Sequence, residues 1–467
     1  ERTVFTRLQG AYAAMLDHAD QHLARLVAFL ETAGVRDDTL VIVMSDNGAS
    51  QEGGPLGMLN AMGPYNFRWE SMEEKKKLID RIGGPKSHSN FPLGWAMAAN
   101  TPLRRYKQNT HGGGIRDPLV ISWPAKIPAR GELRHQFAHA SDLAPTLLDI
   151  VGVAPPAEVN GVKQTPITGV SFKASLFDAS APSRGKPQYF EMFGHRGVWR
   201  DGWKAVAFHP PGTPFEKDKW ELFHLDQDFS ETKDLAAEKP ELLQELIDLW
   251  WKEAEANQVL PLDDRFGPRF AETAARYHGE RRKFTFHRGM GHVPTDVAPD
   301  VRSRSYTIEA DAHVSDGAEG VLISHGDATS GYALYLRDGR LTHVLNIGGQ
   351  LTTVTSDRSV PPGDRRLGVR VRRLSKIAPP RMGEGQGASR YTLLIDGIEA
   401  GAVETPLGFV TLISWSGLDI GFDRGSPVGD YAAPFAFTGE LRKVIVTMDD
   451  DQALDGEAVG ATEMARQ

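Results

Sequence analysis

The stretch VIVMSDNGAS, residues 41–50, runs four apolar residues straight into Asp46, Asn47 and Gly48. A short continuous apolar run reads as a strand buried on both faces, the kind found in parallel sheets. In open α/β sheets, polar groups just past a strand's C-terminal end are the usual place for a site. Upstream, AYAAMLDHADQHLARLVAFLETAG sets Tyr12, Met15, Leu16, Leu23, Leu26, Val27 and Leu30 at helical spacing, with Gly34 as a stop signal. Residues 51–100, rich in Gly, Asn, Met and Pro, read as an irregular insertion. GIRDPLVISWP then predicts a second apolar strand, Leu119 to Trp123, closed by Pro124. SDLAPTLLDIVGV predicts a helix starting at Ser141 or Asp142 and ending at Gly152.

The texture changes after residue 154. QYFEMF, GVWRDGWKAVAF and KWELFHL alternate as a small antiparallel sheet should, and KPELLQELIDLWWKEAEA predicts an amphipathic helix with Pro240 in its first turn. Residues 258–300 show little periodicity and read as a linker. From 301 to 450 the pattern is all β, with turn signals at Asp338-Gly339 and Asp396-Gly397, as in a β-sandwich. The expected divisions are therefore 1–154, 155–257, the linker, 301–450 and a tail of 451–467.

Composition narrows the function classes. The chain has 467 residues, 53 basic and 61 acidic, a net charge of −8, so nothing points to nucleic acid or an anionic membrane. No apolar run approaches the ~20 residues that span a bilayer. Cysteine is absent, which excludes disulfides, thiolate metal sites and a cysteine nucleophile within these residues. The compartment stays open. The sequence starts at Glu1 and enters a helical pattern at once, which reads as a beginning in mid-domain.

Two stretches carry chemistry. Asp46 and Asn47 offer hard oxygen ligands suited to Ca²⁺ or Mg²⁺, although Asp-Asn-Gly is also a common turn tripeptide. TPLRRYKQNTHGGGIRDP places Lys107 and His111 just before Gly112, Gly113 and Gly114. Glycines let backbone approach a ligand closely, and an ammonium beside an imidazole suits a tetrahedral anion. A flexible loop with solvated cations is the plainer alternative.

Taken together, DDTLVIVMSDNGAS, RRYKQNTHGGGIRDPLVISWP, SDLAPTLLDIVGV and WELFHLDQDFSETKDLA resemble successive blocks of the arylsulfatase family, in the family's order. The resemblance covers roughly residues 1–257, and residues 258–450 are similar to the extra C-terminal region of larger bacterial arylsulfatases. It implies the C-terminal part of a sulfatase-type α/β catalytic domain with a mixed sheet, a small antiparallel subdomain, and an all-β, lectin-like sandwich. It also implies hydrolysis of a sulfate ester, on a small molecule or a sulfated glycan, to an alcohol or phenol. The reaction uses a formylglycine nucleophile made within a Cys/Ser-x-Pro-x-Arg signature and a bound Ca²⁺, with Mg²⁺ as the alternative. Asp46 and Asn47 match the family's metal pair. Lys107 matches the lysine on the sulfate or its leaving oxygen. His111 shares that loop and is carried as a candidate catalytic residue. Gly112 replaces an acidic residue often found there.

The family's formylglycine signature precedes the Asp-Asn pair by well over a hundred residues, so it is expected in a missing N-terminal part, leaving no nucleophile here and an inactive fragment. SAPSRG, Ser180 to Gly185, fits the signature formally. It continues into a proline and a predicted strand where the family continues into a helix, so Ser180 reads as a linker residue. His18 and His22, at i and i+4, lack a third ligand and read as a helix face. Arg365 to Leu374 alternates Arg with Val, either a solvated sheet face or a polyanion-binding one. Trp250 and Trp251 read as packing residues. Two other functions stay open: a phosphonate or phosphate ester hydrolase of the same alkaline-phosphatase superfamily, and a non-catalytic glycan-binding module.

Overall fold

A helix from Arg2 to Thr32 opens the chain, and the remaining elements fall into two compact units. One comprises Leu16–Ser50 with Ala96–Asp264; the other comprises Glu1–Met15, Gln51–Trp95 and the residues from Arg265 onward. The computed structural model describes residues 1–127, 131–265, 279–375 and 389–454.

In the first unit, strand Val41–Met44 pairs with Leu119–Ser122 in antiparallel register, Val41 opposite Ser122 and Met44 opposite Leu119. This corrects the parallel-sheet reading. A continuous apolar run reports that both faces of a strand seek cover; it does not report the direction of the neighbour. Among the described residues the pair forms a sheet of two, and Val120 is 60% exposed. The antiparallel register matters for the site. Ser45 N–H donates to Pro118 O at 3.3 Å, so Asp46 leaves one strand where Asp117 leads into the other.

The helix Leu143–Val151 ends as expected, with Gly152 in the left-handed region (φ 71°). At its start Asp142 accepts from the backbone N–H of His139 and Val170 and pairs with Arg184. Beyond it lies a four-stranded antiparallel sheet in the order Gln188–Met192, His195–Arg200, Trp203–Ala207, Trp220–His224. Its two faces differ because strand side chains alternate. One face packs Val198, Ala205 and Leu222 against Leu246, Trp250 and Ala254 of the helix Pro240–Ala256. These helix residues recur every fourth position, and burying one such leucine contributes roughly 1.5–3 kcal/mol. Trp250 is a packing residue, its indole N–H donating to Phe190 O at 3.0 Å. The other face carries Lys204 and Glu221.

In the second unit, a six-stranded and a five-stranded antiparallel sheet contribute to one apolar cluster, Ile308, Leu393 and Val444 from the first with Leu322, Leu334 and Leu345 from the second. The turns at Asp338-Gly339 (φ 51° and 68°) and Asp396-Gly397 (φ 53° and 80°) have both central residues left-handed, as type I′ hairpins require. Two expectations need correction. Strand Lys283–Phe286 lies within the supposed linker, yet it pairs with Glu440–Met448 at the edge of the six-stranded sheet. Its alternate residues Phe284 and Phe286 enter the core. Residues 51–95, read as part of the catalytic core, pack with the sandwich unit instead. Asn66 holds them there: its amide donates to Leu412 O at 2.9 Å and its oxygen accepts from Val410 N–H at 2.8 Å. Residues 266–278 of the linker, 376–388 of the sandwich and 455–467 of the tail lie outside the described residues.

Candidate active site

The strand end and the glycine loop interlock through backbone. Gly48 N–H donates to Gly114 O at 3.2 Å, and Lys107 N–H donates to Ala49 O at 3.1 Å. A Cβ built on Gly48 would stand 1.7 Å from Gly113 O, so only glycine permits this approach. Asn100 ties the same two segments, accepting from Ala49 N–H at 3.0 Å while its amide donates to Arg105 O and Gly113 O. Lys107 sits in a turn closed by Asn109 N–H on Tyr106 O, with Gln108 left-handed (φ 74°) and Arg105 left-handed as well (φ 63°). Non-glycine residues held in that region store strain that surrounding contacts must support.

That support comes from the free face of the four-stranded sheet. Glu231 accepts from Gly112 N–H at 2.8 Å and from the Lys204 ammonium at 2.6 Å. Both side chains are nearly sealed, at 1% and 3% exposure. Burial pulls the Lys204 ammonium below its usual range. On Glu231 burial pushes upward, but Lys204 and the Gly112 N–H outweigh it and hold the carboxyl low. Arg104 donates to Glu221 and to Glu231 O, and the His111 ring meets Glu221 at 2.9 Å. This bond, with Arg104, takes Glu221 down to about 2. Burial lowers His111, so its ring is neutral and the Glu221 contact assigns its proton to Nε2.

The structure thus brings Asn47 and Lys107 onto two segments joined by hydrogen bonds, with Asp46 exposed at the strand end and Lys107 half-buried. His111 is different. It is 0% exposed and engaged by Glu221, so it braces the loop from within. Five contributors escaped the sequence reading: Asn100, Asp117, Lys204, Glu221 and Glu231. Asp117 stands close enough to Asp46 that burial first, and the Asp46 charge second, raise its carboxyl to about 6. Lys204 and Glu221 interrupt otherwise apolar alternation in WKAVAF and WELFH, a signal that was present.

Asp46 and Asn47 have the oxygen chemistry that Ca²⁺ or Mg²⁺ prefers, but they are two donors where calcium takes roughly six to eight. Among the described residues no group of three or more His, Asp or Glu is arranged to hold a metal ion. Ser180 lies exposed in a turn, its N–H and hydroxyl on Asp178, and Arg184 of the same motif is spent on Asp142. His18 and His22 stand with Nε2 atoms 3.1 Å apart. Arg25 donates to His22 Nδ1, which forces the proton onto the very Nε2 a metal would need.

Residues 3–153 match the Sulfatase family, and residues 106–255 match the family described as N-sulphoglucosamine sulphohydrolase, C-terminal. An uncharacterized sulfatase of Schizosaccharomyces pombe is 31% identical over 270 residues, 56% of this chain and 46% of that one. The arylsulfatase of Klebsiella aerogenes is 28% identical over 173 residues, 36% of this chain and 34% of its own length. The crystal structure of Ps i-CgsB in complex with k-i-k-neocarrahexaose overlaps 52% of this chain and 42% of that chain at 23% identity and a TM-score of 0.36. The chain spans less than half the length of these curated relatives. With two sulfatase matches covering residues 3–255 between them, the chain belongs over that stretch to the sulfatase family of the alkaline-phosphatase superfamily.

Proposed function

We propose that this chain supplies the metal-binding and sulfate-binding side of a sulfate ester hydrolase. The observation that supports this reading is the interlock of Gly48 with Gly113 and Gly114, which ties the segment carrying Asp46 and Asn47 to the one carrying Lys107. Asp46 and Asn47 would hold Ca²⁺, or Mg²⁺, which when bound draws charge from the sulfate oxygens. Lys107 donates to the sulfate or to the oxygen that leaves, where charge grows as the S–O bond breaks. The substrate is an aryl sulfate or a sulfated glycan. A lectin-like role for residues 301–450 is supported by the two-sheet core and by Arg370 and Arg372 on the outer face.

The nucleophile lies outside these residues. They hold no cysteine, and Ser180 and Arg184 are engaged elsewhere. Residues 1–467 by themselves are therefore expected to turn over no aryl sulfate. In the full-length gene product, Lys107→Ala should lower kcat by ~10²–10³ with a smaller change in KM, the usual cost of one transition-state donor. Lys107→Arg should not restore it, because a planar fork cannot occupy the site of a compact ammonium. Steady-state kinetics placing Lys107→Ala within about threefold of wild type would remove the reading. Faster turnover of phosphate or phosphonate esters than of sulfate esters would transfer it to the sister activity.

A further inference from the structure

We propose that Glu231, held by Lys204, is a positioning residue that sets the Lys107 loop against the Asp46-Asn47 strand end. The proposal rests on the functional reading above for its catalytic consequence and on geometry for everything else. Gly112 N–H opens the short turn of helix Gly112–Ile115, and its acceptor is a carboxylate from a segment 119 residues further along the chain. That carboxylate lies beside Gly112: a Cβ built there would stand 3.6 Å from Glu231 Oε2 and 3.2 Å from Leu103 Cδ2. An acidic group is thus present beside position 112 although residue 112 itself is glycine.

Glu231 is itself held at both its carboxylate and its main chain. Lys204 Nζ reaches Oε1 from the centre of the four-stranded sheet. Arg104, in the loop being held, donates to the Glu231 carbonyl at 3.0 Å. Glu231 is left-handed (φ 57°) and 1% exposed, a strained and buried position for a glutamate. Buried charges of this kind persist only when paired and hydrogen-bonded. From Gly112 the order passes along the loop in both directions. Gly113 N–H bonds Arg104 O, and Gly113 O and Gly114 O receive Asn100 and Gly48. Lys204 and Glu231 therefore act on Lys107 through backbone, without touching a substrate.

The test separates the loop anchor from the buried charge. Lys204→Met combined with Glu231→Gln removes both charges and keeps a carbonyl acceptor for Gly112 N–H. Lys204→Met combined with Glu231→Leu removes the acceptor as well. Both pairs avoid leaving one charge buried alone, so both should fold. On residues 1–467, hydrogen exchange at Arg104–Gly114 should be about tenfold or more faster in the Leu pair than in the Gln pair, with the sheet Gln188–His224 equally protected in both. In the full-length gene product, the Leu pair should lose more rate on sulfate esters of poor leaving groups than on 4-nitrocatechol sulfate, since Lys107 supports the departing oxygen. The Gln pair should keep the wild-type dependence. Equal exchange in the two pairs overturns the positioning role. Unequal exchange with an unchanged leaving-group dependence leaves the anchor standing and overturns the assignment of Lys107 to the leaving oxygen.

Discussion

Two valine-rich strands meet opposite fates. Gly363–Arg373 alternates, so Leu367, Val369 and Val371 enter the sandwich core while Arg370 and Arg372 face water. Val41–Met44 does not alternate. It pairs only with Leu119–Ser122 among the described residues, leaving Val43 and Met44 exposed. Alternation calls for one covered face, and one opposing sheet satisfies it. A continuous run calls for two. The sandwich therefore rests on a deep apolar core, whereas order around Asp46 and Lys107 rests on backbone interlock and buried ion pairs.

Acid should break this contrast most severely. Within the sandwich unit, burial lowers His325 and His343 to about 3 each. Their folded values lie below the unfolded value of about 6.5, so the folded state binds fewer protons and stability is complete only above that pH. As pH falls from about 6.5 towards 3 the unit should lose up to about 2.7 kcal/mol per pH unit, two protons' worth. Urea titrations with residue-resolved hydrogen exchange at several pH values would measure the slope. His343→Phe should halve it, because His343 stacks on Tyr391 and its Nε2 has no hydrogen-bond partner. An unchanged slope would show that the core of the sandwich admits water or protons.

The next effect belongs to the other unit. Gly48→Ala places a methyl group onto Gly113 O, and overpacking of this kind costs about 1–3 kcal/mol, sometimes more. It should destabilise Leu16–Ser50 with Ala96–Asp264 and leave the sandwich strands as protected as before. A midpoint equal to wild type would mean that the two segments separate easily. The smallest effect is expected at Arg372→Ala, on the solvent side of its strand, within about 0.5 kcal/mol of wild type in urea melts. A larger loss would show that the arginine face supports the sheet.

Much of this was legible beforehand because the signals were local. The Asp338-Gly339 turn, the helix stop at Gly152 and the alternation in Arg365 to Leu374 each lie within a few residues of the structure they dictate. The pairing direction of Val41–Met44 was not legible, since nothing in an apolar run names its neighbour. Residues 51–95 were misplaced for the same reason: the bonds from Asn66 to Val410 and Leu412 span more than 340 residues. At the site, Asp46, Asn47 and Lys107 stood out by residue type and motif. His111 stood out equally, but its burial against Glu221, 110 residues further along the chain, was not legible. Glu231 lay inside a quoted block, but its role depends on Lys204 and Gly112, which are distant in the chain.

Lys107 lies between two residues, Arg105 and Gln108, whose backbones already occupy left-handed conformations, and its own N–H is committed to Ala49. The backbone of the loop is therefore already set before any ligand binds. A loose loop, by contrast, would have to freeze several residues at about 1–2 kcal/mol each. The strain held at Arg105 and Gln108 is charged to folding, and the anion binding proposed for Lys107 would be relieved of it.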